Sequence, residues 1–294
     1  MTAVGVQAEE RMVQVDDGCY LWTVETGTGT PVVFCHGGPG MQDYLAPLAE
    51  MVEDHCRVIR WDQRGAGRST HTGPFTVERF VADLDRLRAA YGLETWIVGG
   101  HSFGATIALA YALEHPERTE ALIYLDGTGL GRSWEARYRE NCARRLGPTL
   151  RVRLEQLKAL ATRSREQEDE YRKLAWGTDF ADTRNALQLA AALLHSQDDI
   201  NYAANAELMI EVKAWNQKAM KRRCSELTMP TLVVHGGADP RPTSALDSLV
   251  GSLPDPQVHI LPDVGHFPWI ERPWLLGRVL REFLHELGTP ANAG

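Results

Sequence analysis

The stretch GGHSFGAT, residues 99–106, lies between an apolar run and a helix-forming run of small residues. Glycine-rich turns in this setting hold phosphates, bind dinucleotides or carry a nucleophile. A phosphate-binding loop requires lysine where this chain has Ala105, and a dinucleotide turn requires glycine where it has histidine. The pattern that fits is G-x-S-x-G, in which a strained strand-to-helix turn exposes the hydroxyl of Ser102. Gly100 and Gly104 flank the turn because a Cβ atom at either position would collide with it.

The composition is that of an ordinary globular protein, with 294 residues, 44% of them hydrophobic and 24% charged. A net charge of −8 argues against a general nucleic-acid binder and against an anionic membrane surface as a partner. No run reaches the roughly 18 apolar residues that a membrane-spanning helix needs. We therefore predict a small-molecule substrate as the partner, with no nucleic acid and no membrane, and the composition leaves the oligomeric state open.

The cysteines and the first residues of the chain indicate a compartment. The five cysteines are scattered and form no C-x-x-C motif, which is typical of free thiols in a reducing environment. The first twelve residues include acidic side chains and lack the apolar segment of a secretory signal. We predict a cytoplasmic protein. Because no cluster of histidine, cysteine and aspartate has metal-ligand spacing, we predict no metal and no cofactor.

The order of predicted elements indicates an α/β fold. Two short alternating segments form a hairpin over residues 12–26, and strands then alternate with helices up to residue 125 and again from residue 231. Among these elements are a helix predicted over residues 43–51 and a strand predicted over residues 56–61. This alternation is typical of a mostly parallel sheet with helices on both faces. Residues 127–227 carry helical spacing and almost no strand signal. The sequence therefore predicts a core domain of residues 1–126 and 228–294, and an inserted helical cap (lid) of residues 127–227 above Ser102.

A serine nucleophile needs a base to take its proton and an acid to orient that base. When the serine lies on this kind of turn, the acid and then the histidine follow it in the chain. His266 lies in a loop after the last predicted strand and is the candidate base. Asp239 lies in a turn directly after a buried strand and is the preferred acid. Asp126, at the end of the preceding strand, is the competing acid.

An oxyanion hole is predicted from the segment HGGPG, residues 36–40, which follows a predicted strand. Its glycines leave backbone N–H groups free to approach a bound carbonyl group. We expect the hole to combine the N–H group of Phe103, the residue after the nucleophile, with that of Gly38. His101, next to the nucleophile, is expected to support the turn and to transfer no proton.

These motifs together resemble the α/β-hydrolase superfamily and, within it, the proline iminopeptidase branch of serine peptidases. The resemblance covers residues 1–126 and 228–290 and rests on HGGPG, WDQRGAGRS (residues 61–69), GGHSFGATIALAYA (residues 99–112), HGGADPR and GHFPWIERP. It implies that Ser102 is the nucleophile, Asp239 the acid and His266 the base. It also implies that Asp62 and Arg64 hold the loop near the oxyanion hole.

The sequence departs from the proline iminopeptidase pattern at two places. That family usually has tryptophan next to the nucleophile, where this chain has Phe103. It also grips the free amine of its substrate with acidic residues of the cap, one of them beside a tryptophan, and residues 174–186 contain no Trp-Glu pair. The candidate substrate-binding residues of this chain are Trp176, Asp179 and Glu207.

Three hypotheses for function follow. The first is a serine hydrolase that cleaves an ester, lactone or amide bond of a small, partly apolar substrate through an acyl-enzyme. The second is a proline iminopeptidase that releases N-terminal proline, and the third is a ligand-binding receptor of the same fold with slow or no turnover. The cap decides between substrates.

Overall fold

The computed structural model describes residues 8–194 and 199–288, and the eight strands in this part of the chain pair into a single sheet. Along the chain the strands are β1 (Glu9–Gln14), β2 (Tyr20–Thr26), β3 (Thr30–Cys35), β4 (Cys56–Trp61), β5 (Trp96–His101), β6 (Thr119–Leu125), β7 (Thr231–Gly236) and β8 (Pro256–Leu261). The sheet order is β1-β2-β4-β3-β5-β6-β7-β8. β2 pairs antiparallel with β1 and β4, and every other pair is parallel. The predicted α/β fold class is confirmed.

The helices divide between the sheet and a long insertion. They are α1 (Ala46–Ala49), α2 (Val77–Ala90), α3 (Phe103–Glu114), α4 (Glu135–Lys158), α5 (Arg165–Gly177), α6 (Ala186–Leu194), α7 (Tyr202–Lys213), α8 (Gln217–Ser225), α9 (Asp247–Val250), α10 (Pro268–Glu271) and α11 (Pro273–Gly288). Helices α4 to α8 all lie between β6 and β7, as the helical spacing predicted. None of the helices over residues 8–194 and 199–288 is both long enough and apolar enough to cross a membrane.

The central strands are buried on both faces, which explains their unbroken apolar sequences. In β3, Val32 and Phe34 pack with α1 and α11, whereas Val33 and Cys35 pack on the opposite face with α2 and α3. Parallel strands covered by helices on both sides need apolar residues at every position rather than at alternate ones. Since these strands run in one direction, the loops that follow β3, β5, β6, β7 and β8 all lie at one edge of the sheet.

The segment between α5 and α6 rests on two of those loops. The backbone N–H group of His266, after β8, donates to the carbonyl oxygen of Asp179 at 2.8 Å. Arg145 of α4 donates to the carbonyl oxygen of Thr178 at 2.6 Å and also to that of Ala238, after β7. The inserted helices are therefore bonded directly to the loops that carry the candidate acid and base.

Candidate active site

Ser102 lies at the turn between β5 and α3 in a conformation that few non-glycine residues adopt, with φ of 57° and ψ of −120°. Such backbone strain persists only where the surroundings enforce it, and it is common at functional sites. A Cβ atom on Gly100 would lie 2.1 Å from the carbonyl oxygen of Gly104, and one on Gly104 would lie 2.0 Å from that of Cys35. The prediction that both flanking glycines are required is confirmed.

Asp239 and His266 come from the loops after β7 and β8, which are neighbours in the sheet. The Nδ1 atom of His266 lies 2.5 Å from Oδ2 of Asp239. Burial alone would raise the pKa of Asp239, but the interaction with His266 and the positive charge of Arg241 outweigh burial and lower the pKa. The carboxylate is therefore ionised and accepts a hydrogen bond from Nδ1 of His266, which leaves Nε2 as the ring atom that can act as the base.

Asp126, the competing acid, is buried beside this pair. One oxygen of Asp126 accepts the N–H group of Gly236 at 2.8 Å. Burial and the negative charge of Asp239 raise the pKa of Asp126 well above its ordinary value. Only the ionised Asp239 is hydrogen-bonded to His266, which favours Asp239 as the acid.

The same three side chains form a group with the composition of a metal site. One potential ligand atom from each of Asp126, Asp239 and His266 lies within 4.8 Å of the other two. The hydrogen bond from His266 to Asp239 accounts for the approach of two of them, and the raised pKa of Asp126 makes its carboxyl group a weaker metal ligand. We therefore interpret the group as a hydrogen-bonded cluster.

Two backbone N–H groups are available near Ser102. Gly38 lies in the loop after β3 with φ of +53°, a conformation that favours glycine. Phe103 is the first residue of α3, so its N–H group has no partner within the helix. Across residues 8–194 and 199–288 neither N–H group donates to a protein acceptor, which is what an oxyanion hole requires.

A chain of hydrogen bonds connects the loops of the site through His101. Nε2 of His101 lies 2.8 Å from the carbonyl oxygen of His266, which can only accept, so Nε2 carries the proton. Nδ1 of His101 then accepts from the hydroxyl of Tyr44 at 2.8 Å, and the Tyr44 oxygen accepts from the N–H group of Gly37 at 2.8 Å. Burial, and next the electrostatic interaction with the neighbouring ring of His266, lower the pKa of His101 well below its ordinary value, so the ring of His101 is neutral at neutral pH. His101 supports the turn, as predicted.

The segment WDQRGAGRS holds the HGGPG loop through a residue that the sequence analysis missed. The N–H group of Gln63 donates to Nε2 of His36 at 3.0 Å, and its side-chain amide donates to the His36 carbonyl oxygen at 2.6 Å. Asp62 accepts the N–H group of Asp43 at 2.7 Å, close to that loop. The expectation for Arg64 was wrong, because its side chain points away to α2 and pairs with Asp83 at 2.8 Å.

A cavity of about 220 Å³ opens above Ser102. Its lining residues are Gly38, Met41, Tyr44, Ser102, Tyr138, Ala175, Trp176, Asp179, Leu193, Arg241, His266 and Phe267. The structure thus brings Trp176 and Asp179 to the cavity. It does not bring Glu207 there: this side chain is exposed on α7, because the helix turns Ala204 and Leu208 inward instead.

Comparison with known proteins identifies the family. The sequence pattern of the alpha/beta hydrolase fold matches residues 30–273, which is most of the chain. The chain belongs to the α/β hydrolase fold family. It is 42% identical over 134 residues to a proline iminopeptidase of Xylella fastidiosa, which covers 43% of this chain and 42% of that protein. The chain thus spans about two fifths of the length of that relative.

Solved structures agree with this family. A proline iminopeptidase of Mycobacterium smegmatis superposes with a TM-score of 0.73 at 23% identity, over 95% of this chain and 98% of that one. A meta-cleavage product hydrolase of Pseudomonas fluorescens IP01 superposes with a TM-score of 0.74 at 20% identity, over 94% and 97% of the two chains. At these identities the likeness establishes the fold alone. The predicted resemblance to the proline iminopeptidase branch is confirmed by the relative from Xylella.

Several lining residues of this α/β hydrolase were missed by the sequence analysis, notably Tyr44, Tyr138 and Arg241. Arg241 follows Asp239 by two residues, and that proximity was the one available signal. Tyr44 and Tyr138 lie in segments without a motif, far along the chain from Ser102. Their place at the cavity depends on the packing of α4 and of the loop before α1.

Proposed function

We propose that this chain is a serine hydrolase that cleaves an ester, lactone or amide bond of a small, partly apolar substrate through an acyl-enzyme. One observation carries the proposal. Ser102, on its strained turn, lines the same cavity as His266, and Nδ1 of His266 lies 2.5 Å from the ionised Asp239. A serine with an oriented imidazole base is the arrangement that acyl transfer requires.

The proposed reaction proceeds in two halves. Nε2 of His266 takes the proton of the Ser102 hydroxyl while Oγ attacks the substrate carbonyl, and the N–H groups of Gly38 and Phe103 stabilise the oxyanion. The tetrahedral intermediate collapses, and the leaving alcohol or amine departs with the proton from His266. A water molecule, deprotonated by His266, then attacks the acyl-enzyme. The acid product leaves, and the proton returns to Ser102.

The volume and the lining of the cavity favour a small substrate. Its volume of about 220 Å³ lies below the roughly 300–1,000 Å³ of pockets for drug-sized ligands. Met41, Trp176, Leu193 and Phe267 supply much of its wall, and they favour an apolar acyl group. In this proposal residues 127–227 form the cap over a core of residues 1–126 and 228–294, and the segment after α5 closes the cavity.

A second candidate is release of N-terminal proline. It is favoured by the name of the relative from Xylella fastidiosa, which is a proline iminopeptidase. It is also favoured by Asp179, a carboxylate that lines the cavity and would face the substrate amine. Comparing proline amides with a free and an acylated nitrogen tests this candidate, which predicts preference for the free amine.

The central test replaces Ser102 by alanine. We expect Ser102→Ala to lose turnover of p-nitrophenyl acetate by at least about 10⁴-fold and to lose labelling by a fluorophosphonate, because the nucleophile is gone. Ser244→Ala, at an exposed serine, is the matched control and should retain both. Unchanged turnover in Ser102→Ala would contradict the proposal. Stoichiometric labelling of the wild type without turnover of any ester or amide would favour a receptor instead.

A further inference from the structure

The cavity above Ser102 contains one acidic side chain and, besides His266, one basic side chain among the residues that the structure describes. They are Asp179, after α5, and Arg241, after β7. Nη1 of Arg241 lies 2.7 Å from Oδ1 of Asp179, and the two side chains are only 15% and 7% exposed. Burial works against the charge of Arg241, but the neighbouring carboxylates of Asp179 and Asp239 raise its pKa well above the ordinary value. Arg241 is therefore charged.

The ion pair of Arg241 and Asp179 changes which ligands the cavity can bind. An isolated carboxylate in a partly buried pocket attracts a substrate ammonium strongly, because the effective dielectric constant there is low. Here a guanidinium group already lies against Asp179, so an approaching ammonium would meet repulsion from Arg241 of similar size. Asp239 does not line the cavity, and its negatively charged carboxylate accepts hydrogen bonds from Nδ1 of His266 and from the backbone N–H group of Arg241, the latter at 2.8 Å.

The position of Arg241 is fixed from several sides. Its guanidinium carbon lies 4.8 Å from the centre of the Tyr138 ring, and its Nη1 also reaches Oδ1 of Asp239 at 3.3 Å. Within residues 8–194 and 199–288, every side-chain hydrogen bond of Arg241 is made by Nη1. The Nε and Nη2 atoms of Arg241 therefore remain as donors for a ligand. An uncharged group with an acceptor oxygen can use those donors without losing the hydration energy of a charge.

We propose that Arg241 determines the substrate class: by neutralising Asp179 it makes the cavity select an uncharged acyl group and reject one that carries a free ammonium. This inference rests on the proposed serine hydrolase activity, and it opposes release of N-terminal proline.

The role of Arg241 can be tested with two phenyl esters of equal size, phenyl cyclopentanecarboxylate and the phenyl ester of proline. Both are assayed at a pH where the proline nitrogen is protonated. The quantity measured is the ratio of kcat/KM for the uncharged ester to kcat/KM for the charged ester. We expect a ratio of at least about 10 for the wild type, equivalent to about 1.4 kcal/mol. Spontaneous hydrolysis is subtracted with Ser102→Ala.

The variant Arg241→Met removes the charge and keeps much of the volume, which leaves Asp179 unpaired. We expect the ratio to fall by at least about tenfold. The double variant Arg241→Met with Asp179→Asn removes both charges and should restore a ratio near that of the wild type. Arg241 also contacts Asp239, so absolute rates fall for both esters, but the ratio cancels that loss. Arg137→Met, at an exposed arginine of α4, is the control with an unchanged ratio.

A wild-type preference for the proline ester, or an unchanged ratio in Arg241→Met, would overturn the inference while leaving the hydrolase proposal intact. Failure of the hydrolase proposal would give a different result, namely no turnover of either ester and no fluorophosphonate labelling. In that case calorimetric titration of cyclopentanecarboxamide and prolinamide into Ser102→Ala gives the same comparison as a ratio of Kd values. Tighter binding of prolinamide would then overturn the inference.

Discussion

At the scale of single residues, His101 shows how a buried neutral imidazole makes stability depend on pH. Burial lowers the pKa of His101 well below its ordinary value of 6.5. Below pH 6.5 the unfolded chain takes up a proton on this ring and the folded chain does not, so stability falls as the pH falls, until the folded pKa is reached. One such group contributes a slope of up to about 1.4 kcal/mol per pH unit. His36, whose pKa is also lowered by burial, adds to the slope.

Urea unfolding at a series of pH values below 6.5 measures this slope. We expect His101→Gln to flatten it, whatever the variant does to the absolute free energy of unfolding. His55→Gln provides the control, because the side chain of His55 is 73% exposed and no buried charge is at stake. If His101→Gln kept the wild-type slope, protonation of His101 would not be linked to folding.

The residues of the candidate site differ in how far sequence alone predicted them. Ser102, Asp239 and His266 each follow a strand within a recognisable turn, so local chemistry and chain order were enough to select them. Tyr44 and Arg241 act through partners from distant segments, which no local pattern encodes. Glu207 has the right charge, but helical phase turns it to solvent.

At the scale of elements, the ion pairs that attach α2 to other segments include a buried pair and an exposed pair. Arg64 and Asp83 are both wholly buried, whereas Arg86 and Asp16 are 52% and 45% exposed. We expect Asp83→Ala to lower the free energy of unfolding by about 3 kcal/mol, because it leaves a buried guanidinium short of a partner. Arg86→Ala should cost less than about 1 kcal/mol, since exposed pairs are screened. Chemical denaturation measures both, and equal losses would contradict the distinction.

Strand positions were predicted better than short helices. β4 covers residues 56–61 as predicted, because an apolar run between two turns has few alternatives. The helix predicted over residues 43–51 shortens to α1, Ala46–Ala49. The first residues of the predicted helix are not helical, because the side chain of Asp43 binds Arg60 of β4 and the N–H group of Leu45. That is a tertiary contact overriding local propensity.

At the scale of the whole molecule, the inserted helices and the sheet meet at the candidate site. His266 donates its backbone N–H group to Asp179, and Glu271 accepts the N–H groups of both Gly265 and Ala181. The bond between Ala181 and Glu271 joins residues 90 positions apart in sequence, and the bond from His266 to Asp179 likewise joins the insertion to the loop after β8. The sequence predicted an insertion above Ser102, but not that it would share hydrogen bonds with the loop of the base.

Arg145 tests whether this attachment matters for the molecule as one unit. Its guanidinium group donates to the carbonyl oxygens of Thr178 and Phe180 in the insertion and of Ala238, the residue before Asp239. In Arg145→Met three carbonyl groups lose a donor, so we expect the free energy of unfolding to fall by about 1–3 kcal/mol. We also expect kcat to fall, because Asp239 and the segment after α5 lose a common support.

The matched control is Arg137→Met on the same helix, where the arginine is 58% exposed and pairs with Glu140. In the wild type, urea transitions followed by circular dichroism and by tryptophan fluorescence should coincide, as they do when all parts unfold together. In Arg145→Met they should separate, because the insertion is then free to unfold before the sheet. Coincident transitions with unchanged kcat in Arg145→Met would mean that the remaining bonds through His266 and Glu271 suffice to hold the insertion on the loops of the acid and the base.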